Sequence, residues 1–458
     1  MSGRTADRRP DLVARIEGGA RNWPFGSPAE DLEARGYVLE EFTVAGRARR
    51  YVAGEDHPAD TMRIDDAVYR TRIYVLTPRR PDDFNGVLIV NWQNVSRHLD
   101  VGSPDGDEVY RGYAWVGVTV QKLGIDGAPG TSPSLATWDS HRYESLHHPG
   151  DAYAYDIFGQ VARMLRSEPD RQAPDPLRGL KPQCIVACGR SQSAMRLASY
   201  INFAHQHDRI FDGFLLLVHF GLCPPLSERP FLDIFTSDQA GRLPFQTPLR
   251  EPEGAKVLAL STECEAVYNF GARQPDSDAY RFWEIAGASH SNPHRDRSLS
   301  LIFQRDGISS QNSDTDRDAN LVEYQFVKDA ALRWLKRWMM TGEAPPRLPP
   351  IDMYPGPNGQ PAIRRDALGN ALGGVRLPDL DAATGQHLGR SAGELLESLS
   401  GWSSLYSRRK LQETHGAWTA FQRKWNTCVD QLLQQDLILP REAETLRDDA
   451  LRRWNSAS

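Results

Sequence analysis

The sequence predicts an α/β fold built on a mostly parallel central sheet. Strand-like and helix-like segments alternate across roughly 86–342, and a strand, CIVACG, runs straight into the turn GRSQS and then into a helix. The chain has 458 residues, 40% hydrophobic and 25% charged, enough to bury a large core with additions.

The first ten residues read as a flexible tail. GYVLEEFTVAG and RTRIYVLTPRR carry strand character, GVLIVNW (86–92) reads as a buried strand, and YAWVGVTV (113–120) as another. A Gly-, Pro- and Ser-rich stretch follows at about 121–150, the first of two lid-like insertions. AYAYDIFGQVARMLRS (152–167) has apolar residues at helical spacing. After CIVACG and GRSQS, a helix is expected through SAMRLASYINFAHQH, then strand FDGFLLLVH (211–219) and a second irregular insertion at about 219–255. KVLALST (256–262) and YRFWEIAG (280–287) are the last strands expected. ANLVEYQFVKDAALRWLKRWMMTG (319–342) reads as an amphipathic helix, with the Lys and Arg of its ALRWLKRWMM part on the wet side, ended by Gly342 and the prolines beyond. The division is thus a core over 11–342 and, over 343–458, a Pro/Gly-rich linker with a helical extension and no further strands.

The net charge of −6 supplies no basic excess, which argues against nucleic acid or an anionic membrane as partner. No apolar run approaches the ~20 residues of a membrane span, and no apolar stretch follows the charged N-terminus. Five cysteines is an odd, low number. Cys184 and Cys188, four apart on one strand, would lie ~13 Å apart, too far to bridge. Reduced thiols in a cytoplasmic protein is the resulting expectation.

Chemistry concentrates at the turn. In open α/β sheets, active groups lie beyond the C-terminal ends of strands. Small residues at Gly189 and Ser193 allow a tight elbow that lifts the Ser191 hydroxyl above the sheet, and the Gln192 N–H then opens the next helix where an oxyanion would form. A serine needs a base, and the base an orienting acid. Glu263 and Glu265 follow KVLALST, and His290 follows YRFWEIAG, so nucleophile, acid and base come in order, each past a strand. Both glutamates remain candidates, with Glu265 at the more usual reach. A second oxyanion donor would come from the backbone of Gln93 or Asn94 in NWQNVSRHLD. Trp92, Arg97, Tyr143 and Tyr268 are candidates for substrate contact. Pro293 in HSNPHRD denies His290 and His294 the spacing of a zinc helix, and GRSQSA has one glycine where a dinucleotide turn needs three. Neither metal nor cofactor is expected.

These residues resemble the bacterial "alpha/beta hydrolase domain" proteins of the α/β-hydrolase superfamily. The similarity runs nearly end to end, through ARGYVLEEFTVAG, FNGVLIVNWQNVS, GYAWVGVTVQ, HPGDAYAYDIFGQ, GRSQSA, RQPDSDAYRFWEIAGASH, GGVRLP and LILPREAETLRDDA. It implies an α/β-hydrolase core, a serine carboxylesterase type of activity on a small-molecule ester, the nucleophile at Ser191, the base at His290 and the acid within Thr262–Glu265. Ala194 stands where the family often has Gly, and Arg97 and His98 stand where a Gly pair commonly follows NVS. The same fold would also serve an acyltransferase, cyclase or lyase, or a non-catalytic ligand-binding protein. The helical tail offers a surface for pairing two copies or for closing the pocket.

Overall fold

The computed structural model describes residues 8–456 except 54–60, 105, 129–132, 171, 227–245, 310–318, 357–358 and 392–398. Part of the tail and most of the second insertion therefore lie outside the described residues.

Nine strands form one sheet: β1 Leu12–Arg15, β2 Tyr37–Ala53, β3 Thr61–Pro78, β4 Val87–Trp92, β5 Ala114–Val118, β6 Cys184–Arg190, β7 Gly213–Leu217, β8 Lys256–Thr262 and β9 Tyr280–Ile285. Their order is β1-β2-β3-β5-β4-β6-β7-β8-β9. The first three strands and the β3–β5 pair are antiparallel, and every pair from β5 to β9 is parallel. The connection order reverses at β4 and β6, and the crevice outside such a switch point is where α/β sheets place ligands.

The parallel strands are apolar on both faces because both are covered. Along β6, Cys184, Val186 and Cys188 enter one core with α5 (Gln325–Thr341), whereas Ile185 and Ala187 enter another with α1 (Ala154–Arg166) and α2 (Gln192–Ser199). The α5 face also buries Phe421 and Trp425 of α7 (Trp418–Gln434) and Trp454 of α8 (Pro440–Ser456), so the C-terminal helices extend the main core. The other helices of seven or more residues among the described residues are α3 (Glu263–Asn269), α4 (Pro293–Asp306) and α6 (Arg408–His415). No helix among the described residues is long and apolar enough to cross a membrane.

Two expectations are corrected. The region beyond 343 does contain strands: β10 Met353–Pro355 pairs with β11 Pro361–Ile363, and β12 Gly385–Leu388 with β13 Trp402–Leu405. The stretch after β5 is not irregular throughout. Its short helical turns Leu135–Trp138 and Ser140–Tyr143 are capped by Ser134 and Asp139. They bury Leu135, Trp138 and Tyr143 in a third core with Phe25 and with Phe303 of α4.

Five buried histidines are held below their ordinary pKa of 6.5 by burial: His148, His205, His219, His387 and His415. For His148 and His219 the value falls to about 4. In both, Nδ1 accepts a main-chain N–H, from Gly150 and Gly221 respectively, a bond that protonation would break. The unfolded chain therefore binds more protons than the folded one between pH 6.5 and 4, and stability rises with pH across that window, by roughly 3 kcal/mol for each fully shifted histidine. Denaturant unfolding should give a lower midpoint at pH 5 than at pH 7, and His219→Gln should reduce the difference. Equal midpoints at both pH values would contradict the neutral, buried state.

Candidate active site

β6 ends at Arg190, and α2 begins at Gln192. Ser191 between them has φ 57° and ψ −121°, a backbone conformation that non-glycine residues rarely adopt and that costs on the order of 1–3 kcal/mol. The surroundings over-determine it. The Ser191 N–H donates to the Leu217 carbonyl on β7 at 2.9 Å, and its own carbonyl accepts from Met195 at 3.0 Å. Ser193 Oγ accepts the Arg190 N–H and donates to the Arg190 carbonyl, both at 2.9 Å, and Asn94 Nδ2 donates to that carbonyl at 2.8 Å. Gly189 leaves room for the turn: a Cβ there would lie 2.8 Å from the Ser193 carbonyl oxygen. The Gln192 N–H is the first of the helix, among the groups that lack an intrahelical acceptor.

α3 opens with Thr262 as its cap, and Glu265 closes a capping box onto it. Thr262 N and Oγ1 donate to Glu265 Oε2 at 2.9 and 2.7 Å. The other oxygen, Oε1, meets His290 Nδ1 at 2.6 Å. Burial pushes the Glu265 carboxyl upward, but His290 and the Thr262 donors outweigh it and hold the group below its ordinary range. An ionised acceptor on Nδ1 assigns the proton to that nitrogen and leaves Nε2 with a lone pair. The His290 ring stacks on Phe220, centroids 5.4 Å apart, and Phe220 in turn meets Tyr268 at 5.3 Å.

His290 lies in the loop after β9, before α4, whose N-cap is Asn292 and whose first residue is Pro293. That loop is anchored by the C-terminal region. The His290 N–H donates to the Leu399 carbonyl at 3.2 Å, and Val375 forms a parallel bridge with Ile285. Asn320 Nδ2 donates to the carbonyls of Gly287 and Leu388 at 2.8 and 3.0 Å.

Glu263 has other partners than Glu265: Arg365 Nη2 at 2.7 Å and the Gly287 N–H at 2.8 Å. Ser191, Gln192, Glu265 and His290 thus converge on the C-terminal ends of β6, β8 and β9. No hydrogen bond joins Ser191 Oγ to His290 among the described residues, and such bonds often tighten only with substrate bound.

The other candidates are placed as follows. The Gln93 N–H donates to the Val118 carbonyl at 3.2 Å and the Asn94 N–H to that of Val101 at 2.8 Å, so both amides are already committed. The N–H of Val95 has no acceptor among the described residues, and it is the next amide in that loop. Trp92 is fully buried, its indole N–H on Gln121 Oε1 at 3.1 Å. That oxygen also accepts from Gln192 Nε2 at 2.9 Å, which steadies the first turn of α2. Tyr143 is fully buried too, its hydroxyl donating to Glu41 and accepting from Phe25 N and Arg72. Arg97 is exposed and lies over the Phe303 ring. Tyr268 is half-buried beneath Arg390.

Three residues went unremarked in the sequence: Phe220, Tyr324 and Arg190. On the α5 side of the elbow lies a cavity of about 60 Å³ whose lining includes Asn94, Trp115, Arg190, Ser193, Leu217 and Lys328. Ser191 does not line it.

A family model described as an alpha/beta hydrolase domain matches residues 9–448. Among solved structures, acetyl xylan esterase 1 from Thermoanaerobacterium sp. JW/SL YS485 is 12% identical, with 65% of this chain and 88% of that one covered and a TM-score of 0.30. Esterase Est22 is 12% identical, covering 61% and 73%, with a TM-score of 0.27. Oligopeptidase B from Leishmania major is 11% identical, covering 60% and 36%, with a TM-score of 0.31. At this distance the likeness speaks to neither activity nor substrate. A search of curated proteins finds no match.

Because the Gly189 site has no room for a methyl group, Gly189→Ala should destabilise the protein by roughly 1–3 kcal/mol. Denaturant titration checks this, and a wild-type midpoint would contradict so tight an elbow.

Proposed function

The chain belongs to the alpha/beta hydrolase domain family, and on that premise we propose that it is a serine hydrolase cleaving a carboxylic ester or lactone through an acyl-enzyme. The observation that carries the reading is the 2.6 Å bond between buried Glu265 and His290 Nδ1, in a loop packed against the strained Ser191 elbow.

Glu265 keeps the imidazole in the tautomer whose Nε2 accepts a proton, and it stabilises the imidazolium that then forms. Ser191 Oγ attacks the acyl carbon as His290 takes its proton. Charge developing on the carbonyl oxygen is met by the Gln192 N–H at the start of α2, and the Val95 N–H is the second donor in this reading. His290 returns the proton to the leaving alkoxide, and the same base then activates the water that releases the acid. Glu263 serves a different end: with Arg365 and Gly287 it fixes the base loop to the C-terminal region.

Hydrolysis of short p-nitrophenyl esters tests the assignment. Ser191→Ala should lower kcat by about 10⁴–10⁶-fold, and Glu265→Gln by about 10³–10⁴-fold, because an amide cannot hold the required tautomer. Glu263→Gln should lower thermal stability far more than kcat. Ser191→Ala turning over at the wild-type rate, or Glu263→Gln and Glu265→Gln losing kcat equally, would overturn this division of roles.

A further inference from the structure

Arg190 directly precedes the nucleophile, and its side chain reaches the loop that carries the base. Nη2 donates to the His290 carbonyl at 2.6 Å and to the Tyr324 hydroxyl at 3.0 Å. That hydroxyl donates in turn to the same His290 carbonyl at 3.1 Å. The three groups close a triangle in which the His290 carbonyl accepts twice and the Tyr324 hydroxyl both accepts and donates, and two of its sides start from a cation, which shortens and strengthens such bonds.

We propose that Arg190 is a positioning residue: locked to Tyr324, its guanidinium holds the His290 main chain and so fixes the imidazole relative to the neighbouring serine. The inference rests on the reading of Ser191 and His290 as nucleophile and base.

Three features of the surroundings carry it. Arg190 is only 9% exposed, and the inward positions before it and beside it are apolar: Cys188, Leu215 and Leu217. An apolar side chain would fill this place without the desolvation cost of a guanidinium, so the charge has a use there. His290 lies outside any helix or strand, and its geometry therefore depends on tethers. Its N–H is held by Leu399, its carbonyl by Arg190 and Tyr324, and its ring by Glu265 and Phe220. Finally, the backbone of Arg190 is itself fixed, with Asn94 Nδ2 and Ser193 Oγ on its carbonyl. One residue thus ties the loop after β4, the elbow and the base loop into a single frame. Misplacing a catalytic group by ~1 Å can cost about 100-fold in rate.

The test measures p-nitrophenyl ester kinetics and the downfield proton resonance of the His290–Glu265 bond in Arg190→Gln and Tyr324→Phe. Arg190→Gln should lower kcat by about 10- to 100-fold while KM changes little, and the resonance should shift upfield or broaden. Tyr324→Phe, which removes one oxygen only, should lower kcat several-fold and move the same resonance. Added guanidinium should restore part of the rate of Arg190→Ala. A folded Arg190→Gln with wild-type kcat and resonance overturns the proposal. If that variant does not fold, Tyr324→Phe decides: an unchanged kcat and resonance overturn it. Ser191→Ala separates this from the underlying reading. If it still hydrolyses at the wild-type rate, the nucleophile assignment fails. If it is inactive while the Arg190 and Tyr324 variants behave as wild type, only the role of Arg190 falls.

Discussion

A carboxylate buried as completely as Glu265 stays ionised only when donors meet it, and here the Thr262 amide, the Thr262 hydroxyl and His290 Nδ1 do so. The first is one half of the capping box of α3 and the second joins the side chains of the same two residues, so the start of a short helix and the orientation of an acid are one arrangement. The third draws the loop after β9 onto the end of β8. Because β8 and β9 are parallel neighbours, those loops emerge at the same edge as the elbow after β6. The sheet supplies proximity, and the buried ion supplies direction.

The C-terminal third of the chain is part of this arrangement. It bonds the His290 amide through Leu399, extends the β9 edge through Val375 and grips Glu263 through Arg365. Gly389 passes so close that a Cβ there would sit 2.6 Å from that of Glu263. The neighbouring glutamates of α3 therefore face different duties. Glu265 turns toward the imidazole, and Glu263 toward the region that braces the imidazole's loop.

Much of this was legible in the sequence where hydrophobicity and punctuation agree. GVLIVNW, CIVACG and KVLALST are unbroken apolar runs closed by turn residues, and their strands and parallel pairing follow. The order of the candidate Ser, Glu and His was legible for a related reason, since each follows a strand-like segment, YRFWEIAG in the case of His290. The choice between two glutamates was harder, although Thr-Glu-Cys-Glu carries the capping-box spacing that singles out Glu265. α4 was hidden because Pro293 reads as a breaker, whereas at the first helical position it is a starter. β12 (GQHL) and β13 (WSSL) have only four residues each and mix Gly, Gln, Ser and His with Leu and Trp, so they carry little local strand signal and depend on tertiary contacts such as His387 with Ser403. Tyr143 looked like a pocket residue because nothing local shows that a Gly- and Pro-rich stretch folds a core of its own. The Gln93 and Asn94 amides looked available until pairing with Val118 and Val101 was known, and Arg190 reads as any strand residue until the base loop is seen above it.

Fluorophosphonate treatment followed by peptide mass spectrometry tests the central claim most directly, because only a serine served by a base forms the adduct rapidly. The account predicts one adduct per chain, on the peptide containing Ser191, forming at a rate that collapses when His290 is replaced by Gln. Absence of an adduct, or modification at another residue with Ser191 untouched, would contradict it.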